Sequence, residues 1–189
     1  MSWNSLFFIN SLYSLCCILY SVVLHQKTKK KPQGDNHKRL FLCHSSDSSA
    51  LNRIFDDQAQ ARIYLESSSM LLVFMLIENG FVDIVSSDAL IFEKSQNPHD
   101  ERRMFVSVVL EKAKIFNKSD EKILERAEEI EQQYRIKGMD ALHLACAEQL
   151  QVDAFITCDD KIIKKYQGIL SVINPVTFTM DFLLKEQNQ

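Results

Sequence analysis

Four acidic residues stand where an α/β chain gathers its chemistry. Asp47 follows the apolar run 39–43 (RLFLC), and Glu93 lies on a helical stretch after the strand-like run 81–86 (FVDIVS). Asp140 opens the helical run DALHLACAE, and Asp159 follows the apolar run 154–157 (AFIT). In an open parallel sheet, ligands bind beyond the carboxyl ends of the strands, so acids placed there or on the following helices face one site. Oxygen donors at this density select a hard cation, Mg²⁺ or Mn²⁺, rather than zinc. Such a cluster can lower the pKa of a bound water and stabilise charge on a phosphorane-like transition state. Any one of these acids alone reads better as a solvated helix cap; their joint placement points to metal chemistry.

Other residues near the four acids carry two readings each. His143 lies three positions after Asp140 on nearly the same helix face, which suits a ligand or a base. Its L-H-L-A surroundings favour a buried core histidine instead. Asp160 adjoins Asp159 and competes with it for the same role. Arg102, Arg103, Lys161, Lys164 and Lys165 could guide a phosphate backbone, but basic residues on charged helices are usually only solvated. The net charge of −3 gives no global basic field, so any contact with a polyanion is local or metal-mediated. The five cysteines (Cys16, Cys17, Cys43, Cys146, Cys158) are odd in number and form no CxxC pair, which reads as reduced, packed thiols.

The elements that would position these residues follow from periodicity and caps. Residues 60–79 are apolar at helical spacing and closed by Gly80. After the strand 81–86, Ser87 can cap a helix over 88–95 that stops before Pro98. Residues 99–114 place Met104, Val108, Leu110 and Ala113 on a charged background. Ser119, Asp120 and Glu121 mark the start of a helix to about Tyr134, with acids suited to the positive end of its dipole. A helix over 140–149, a strand over 154–157, a short helix over 160–166 and a last strand over 170–173 complete the pattern. Asn174 and Pro175 stop that last strand. Strands alternating with helices predict a three-layer α/β sandwich around a mostly parallel sheet.

The N-terminal segment differs in composition. Residues 6–24 (LFFINSLYSLCCILYSVVL) are nearly all apolar or small, and no charge precedes Lys27. That run meets the roughly 18 to 20 residues a membrane-crossing helix needs, and it lacks the positive start of a secretory signal. Lys27, Lys29, Lys30 and Lys31 follow it, so an inserted helix would leave the rest of the chain in the cytoplasm. The other reading is a misassigned start that anchors nothing, with a simply cytoplasmic protein. Residues 25–39, with Pro32, Gly34 and many bases, read as a solvated linker. The expected division is therefore 1–38 for the apolar segment and linker and 39–189 for the folded domain.

The motifs from Asp47 to Phe182 resemble the PIN domain family. DSSALNRIFDDQAQAR (47–62) resembles that family's first motif in a bacterial subgroup reading D-[TS]-[SN]-V-L-N-R-x-F-D-D-Q. SDALIFE (87–93) resembles its S-x-x-x-L-x-E stretch. DALHLACAEQLQVDAFITCDDKIIKKY with SVINPVTF resembles its ending, in which an Asp opens a helix with L-H-x-A, a strand ends in T-x-D, and N-P follows the last strand. The resemblance implies metal-binding acids at Asp47, Glu93, Asp140 and Asp159, with Asn52 and Thr157 in orienting roles. It implies Mg²⁺- or Mn²⁺-dependent hydrolysis of RNA, often by the toxin of a toxin–antitoxin pair. The partners it implies are an RNA substrate, an antitoxin protein and a second copy of the chain in a homodimer.

The sequence departs from the family pattern just before Asp47. Apolar residues normally run straight into that Asp, whereas His44, Ser45 and Ser46 stand there here. Two readings follow. Either the central strand is compromised by polar residues, leaving a degenerate, non-cleaving binding or scaffold module, or RLFLC is a displaced strand joined to Asp47 by a short connector. A phosphorylated receiver domain also gathers acids at strand ends, but it pairs two acids after its first strand and places a Lys after its last. Asn174 and Pro175 occupy that last position here.

Overall fold

Residues 38–42 (KRLFL) settle the question of the central strand. They form β1 (Lys38–Leu42), and the computed structural model describes residues 38–43 and 50–187. Alternation along a strand sends successive side chains to opposite faces. Leu40 and Leu42 enter one apolar core, and Phe41 and Cys43 enter the other. A strand buried on both faces is apolar at consecutive positions, as RLFLC is. RLFLC therefore supplies the central strand, as the displaced-strand reading has it. Cys43 extends the ladder, its N–H donating to the Ile156 carbonyl at 3.0 Å.

Beyond β1 the chain runs through a 3₁₀ turn (Arg53–Phe55), α1 (Ala61–Glu78), β2 (Val82–Ser87), α2 (Asp88–Gln96), α3 (Asp100–Leu110) and β3 (Ile115–Asn117). It continues through α4 (Glu121–Tyr134), α5 (Met139–Gln149), β4 (Ala154–Ile156), α6 (Asp160–Lys165), β5 (Val172–Ile173) and α7 (Pro175–Gln187). The five strands pair in the order β3-β2-β1-β4-β5, and every pairing is parallel. Side chains of α1, α3 and α7 (Met70, Val73, Leu76, Val106, Val109, Phe178, Phe182) cover the Leu40 face. Leu90, Ile123, Ile130, Leu144 and Ile162 from α2, α4, α5 and α6 cover the Phe41 face. This is the three-layer α/β architecture, with all strand carboxyl ends at one edge.

Local signals explain most boundaries. Gly80 adopts φ +69° after α1, and the Phe81 and Gly80 N–H groups donate to the Leu76 and Ile77 carbonyls at 2.9 and 3.0 Å. That is a Schellman stop, which favours glycine because the left-handed conformation costs it nothing. Ser87 caps α2 by accepting from the Leu90 N–H at 3.2 Å, and Asp120 caps α4 by accepting from Ile123 N–H at 3.0 Å. Three features differ from the sequence reading. In α3 the buried positions are Val106 and Val109, while Met104 and Val108 face solvent. The edge strand β3 is only three residues long, too short to leave a periodic signal. Pro175 ends the β5 connection and also starts α7, where a residue with no N–H to satisfy fits the first turn and Asn174 accepts from the Val176 N–H at 2.9 Å.

Among the described residues no helix is long and apolar enough to cross a membrane. The apolar run 6–24 and residues 25–37 of the linker lie outside the described residues, as does Asp47, while Lys38 and Arg39, read as the end of the linker, are the first residues of β1.

Candidate metal centre

At the carboxyl edge of the sheet, β2 delivers α2 and with it Glu93, β4 delivers Asp159, and α5 begins there with Asp140. Each acid is set by a different local device. Gly138 at the N-cap of α5 has φ +60° and ψ −128°, a backbone state suited to glycine, and it turns the chain so that Asp140 falls in the first helical turn. Asp159 caps α6, its Oδ1 accepting from Lys161 N–H at 2.6 Å, while its own N–H donates to Thr157 Oγ1 at 3.1 Å. Thr157 is fully buried, with its N–H bonded to the Ile173 carbonyl at 3.1 Å. Its hydroxyl thus ties the Asp159 turn to the end of the sheet.

Asp140 feels two of the other sequence-predicted acids. Burial pushes the Asp140 carboxyl up to about 6, and the Asp159 and Glu93 carboxylates add to the rise. Asp140 Oδ1 is buried and has no hydrogen-bond partner among the described residues. A buried acceptor among like charges is a costly arrangement that a cation relieves. The donor set is all oxygen, so the residues fit a hard divalent ion. Among the described residues, however, no three His, Cys, Asp or Glu side chains converge closely enough to hold a metal by themselves. Asn52 is buried and its carbonyl accepts from the Phe55 N–H at 2.9 Å, which starts the 3₁₀ turn that follows Asp47 in the chain.

The neighbouring acids are committed elsewhere. Asp160 takes a bidentate contact from Arg62, Nη1 and Nη2 each at 2.7 Å, which holds its carboxyl below the usual range. Asp88 sits at the end of β2, but its carboxylate accepts from Ser119 N–H at 2.9 Å and Ser119 Oγ at 2.6 Å. Those bonds outweigh its burial and lower its pKa. His143 is fully buried, with Nε2 2.7 Å from Glu93 Oε2. The core-histidine reading is right about burial, and the carboxylate partner is what sequence reasoning missed.

A second missed feature is an ion-pair hub beneath the site. Glu66, only 2% exposed, lies 2.8 Å from Arg53 Nε, 2.9 Å from Arg62 Nε and 2.8 Å from Asn174 Nδ2. The Arg53 contact is close but poorly aligned, an ionic approach more than a hydrogen bond. Arg53 also reaches Asp56 at 3.0 Å, and Arg102 reaches Asp56 at 3.4 Å. The hub joins the segment after Asp47 to α1, to the start of α6 and to the end of β5. A lone acid within the apolar run of α1 is the sequence signal for it. Of the basic residues read as phosphate guides, Arg102 and Arg103 are engaged in ion pairs and Lys165 donates to the Arg135 carbonyl at 2.9 Å. Lys161 and Lys164 are exposed. Cys43, Cys146 and Cys158 are buried, and burial pushes the Cys158 thiol up to about 12.

The PIN domain model matches residues 46–168, beginning after β1. Among solved structures, a chain from a toxin–antitoxin complex of Klebsiella pneumoniae is 19% identical and spans 72% of this chain and 97% of its own, with a TM-score of 0.40. A chain of VapBC2 from Rickettsia felis, bound to a DNA fragment from their promoter, is 15% identical and spans 72% and 98%, with a TM-score of 0.45. No curated protein matches the sequence. With the family model spanning most of the sequence, the chain belongs to the PIN domain family, whose members are typically nucleases that use divalent metal ions.

Proposed function

We propose that this protein is an endoribonuclease that hydrolyses RNA phosphodiester bonds with Mg²⁺ or Mn²⁺ held by Asp47, Glu93, Asp140 and Asp159. The observation that carries the reading is Asp140, whose buried, unpartnered Oδ1 lies in the field of Glu93 and Asp159. A bound divalent ion would supply Lewis-acid activation of water and neutralise charge building on the scissile phosphate. The chain's own residues then have separate tasks. Gly138 aims Asp140, Thr157 holds the Asp159 turn, and Asn52 steadies the turn after Asp47. Lys161 and Lys164, exposed on α6 next to Asp159, are suited to steer the RNA backbone. In keeping with what the motif resemblance implies, the activity is that of a cytoplasmic toxin restrained by an antitoxin protein, with the chain acting as a homodimer. The alternative to a cytoplasmic protein is one that the run 6–24 anchors to a membrane with the nuclease on the cytoplasmic side.

The test uses the full chain. Asp140→Asn keeps size and shape but removes one charge, so it should abolish Mg²⁺- or Mn²⁺-dependent RNA cleavage and growth inhibition while the circular dichroism spectrum stays as in wild type. Cleavage retained by the variant, or cleavage by wild type in EDTA, sinks the assignment. One observation favours a second reading, a binding module that does not cleave: no three described side chains converge on a metal-sized point. On that reading wild type binds RNA but takes up no Mn²⁺.

A further inference from the structure

We propose that His143 is a positioning residue that holds the Glu93 carboxylate in the metal-binding group through an Nε2–H···Oε2 hydrogen bond; this rests on the function proposed above. Nε2 and Oε2 are 2.7 Å apart, and the imidazole is fully buried. An ionised carboxylate only accepts hydrogen bonds, so Nε2 carries the proton. Nδ1 is buried with no hydrogen-bond partner among the described residues, and a proton there would be a donor without an acceptor. The network therefore assigns the Nε2–H tautomer.

The fold holds the ring rigidly in that pose. His143 sits one turn into α5 below Asp140, and its ring lies 5.8 Å from that of Phe41 on the central strand, tilted by 49°. Phe41 in turn stacks on Phe155 of β4 at 5.4 Å. A ring packed on the central strand fixes a carboxylate carried by α2, which packs against α5. The bond restrains Glu93 against two freedoms. Its side chain has three rotatable bonds, and the neighbouring Asp140 carboxylate repels it when no cation is bound. With no exposed ring edge, His143 itself touches neither substrate nor solvent. Hydrogen bonds to metal-ligating carboxylates set ligand orientation, and their loss typically weakens metal binding by about 10- to 100-fold.

The experiment measures Mn²⁺ affinity of the full chain by calorimetry in wild type, His143→Leu, His143→Gln and Asp140→Asn, with thermal unfolding of each. His143→Leu should weaken Mn²⁺ binding by about 10- to 100-fold, and His143→Gln, which keeps a donor, should recover most of it. Equal loss in the two His143 variants at equal melting temperature overturns the proposal in favour of packing alone. A loss in His143→Gln as deep as in Asp140→Asn overturns it in favour of a direct ligand. Wild-type affinity in His143→Leu overturns it while Asp140→Asn still fails to bind, which leaves the function standing; no Mn²⁺ uptake by wild type removes both. Should His143→Leu not fold, long-range ¹⁵N–¹H spectra of wild type carry the test. The Nε2–H tautomer with a resonance that moves on Mg²⁺ addition is expected, and an Nδ1–H tautomer or an unmoved resonance overturns it.

Discussion

At the scale of single residues, the site is a contest between burial and charge. Asp140 has its carboxyl pushed up to about 6 from an ordinary value of 3.8, chiefly by desolvation. A carboxyl whose folded pKa is raised binds its proton more tightly in the native state. It therefore stabilises the fold below its unfolded pKa and loses that contribution as pH rises through the folded one. Without divalent metal, wild type should thus lose stability between about pH 4 and pH 6 relative to Asp140→Asn, by on the order of 1–2 kcal/mol once solvent screening is allowed for. Urea unfolding in EDTA across that range measures the difference, and a gap that does not change with pH would count against the buried-acid account. The same contest separates Asp159 from Asp160. Both follow β4, but the Arg62 fork occupies Asp160, while Asp159 lies within the field of Asp140.

At the scale of elements, caps and turns decide where the acids point. The N-cap of α5 has no side chain to satisfy its first N–H groups, because Gly138 is there for its backbone, and a Cβ at that position would meet no atom within 4 Å. Gly138→Ala is therefore a test of conformation without a steric clash. The positive φ should make it cost about 1–3 kcal/mol and reduce cleavage, since relaxing the turn rotates Asp140. Denaturant unfolding with parallel cleavage assays checks both, and a variant as stable and active as wild type would show that the turn is not strained for an L-residue. Ser87 works differently, its hydroxyl starting α2 so that Glu93 emerges on the second turn, beside α5. Both devices are short-range, and both act on residues that chain distance alone would leave apart.

At the scale of the whole molecule, the hub around Glu66 holds the loop after the central strand against three other segments. Glu66 and Arg53 are both buried, and losing one partner of a buried pair leaves the other charge uncompensated. Glu66→Leu should therefore destabilise the full chain by about 3–5 kcal/mol, and the double variant Arg53→Met/Glu66→Leu should recover part of that loss. Chemical denaturation of both variants tests this; a double variant weaker than Glu66→Leu would mean that Arg53 stabilises the fold through Asp56 and not through Glu66. The hub's reach also explains the motif N-R-x-F-D-D-Q. Arg53 and Asp56 enter the ion-pair chain, and Gln58 Nε2 donates to the Asp56 and Arg53 carbonyls at 2.9 and 3.0 Å, closing the turn.

The sequence alone determined the element types, the parallel sheet, most caps and the candidate acids, because each depends on nearby residues. Period-2 and period-3.6 apolar patterns, Gly80 after a helix and Ser87 before one act within a few positions of themselves. It could not choose which segment becomes the central strand. RLFLC read as a strand but the polar residues before Asp47 left its place in the sheet open, and β1 holds that place by pairing with β2 and β4 and by filling both cores at once. Nor could it find the partner of His143, which is 50 residues away. The Arg62–Asp160 contact spans 98 residues and the Glu66–Asn174 contact 108. Such contacts leave no spacing to read along the chain, since the distance between their partners is set by strand order and helix packing. Tertiary structure therefore decided which acids share a field, which one an arginine withdraws, and which histidine holds a carboxylate.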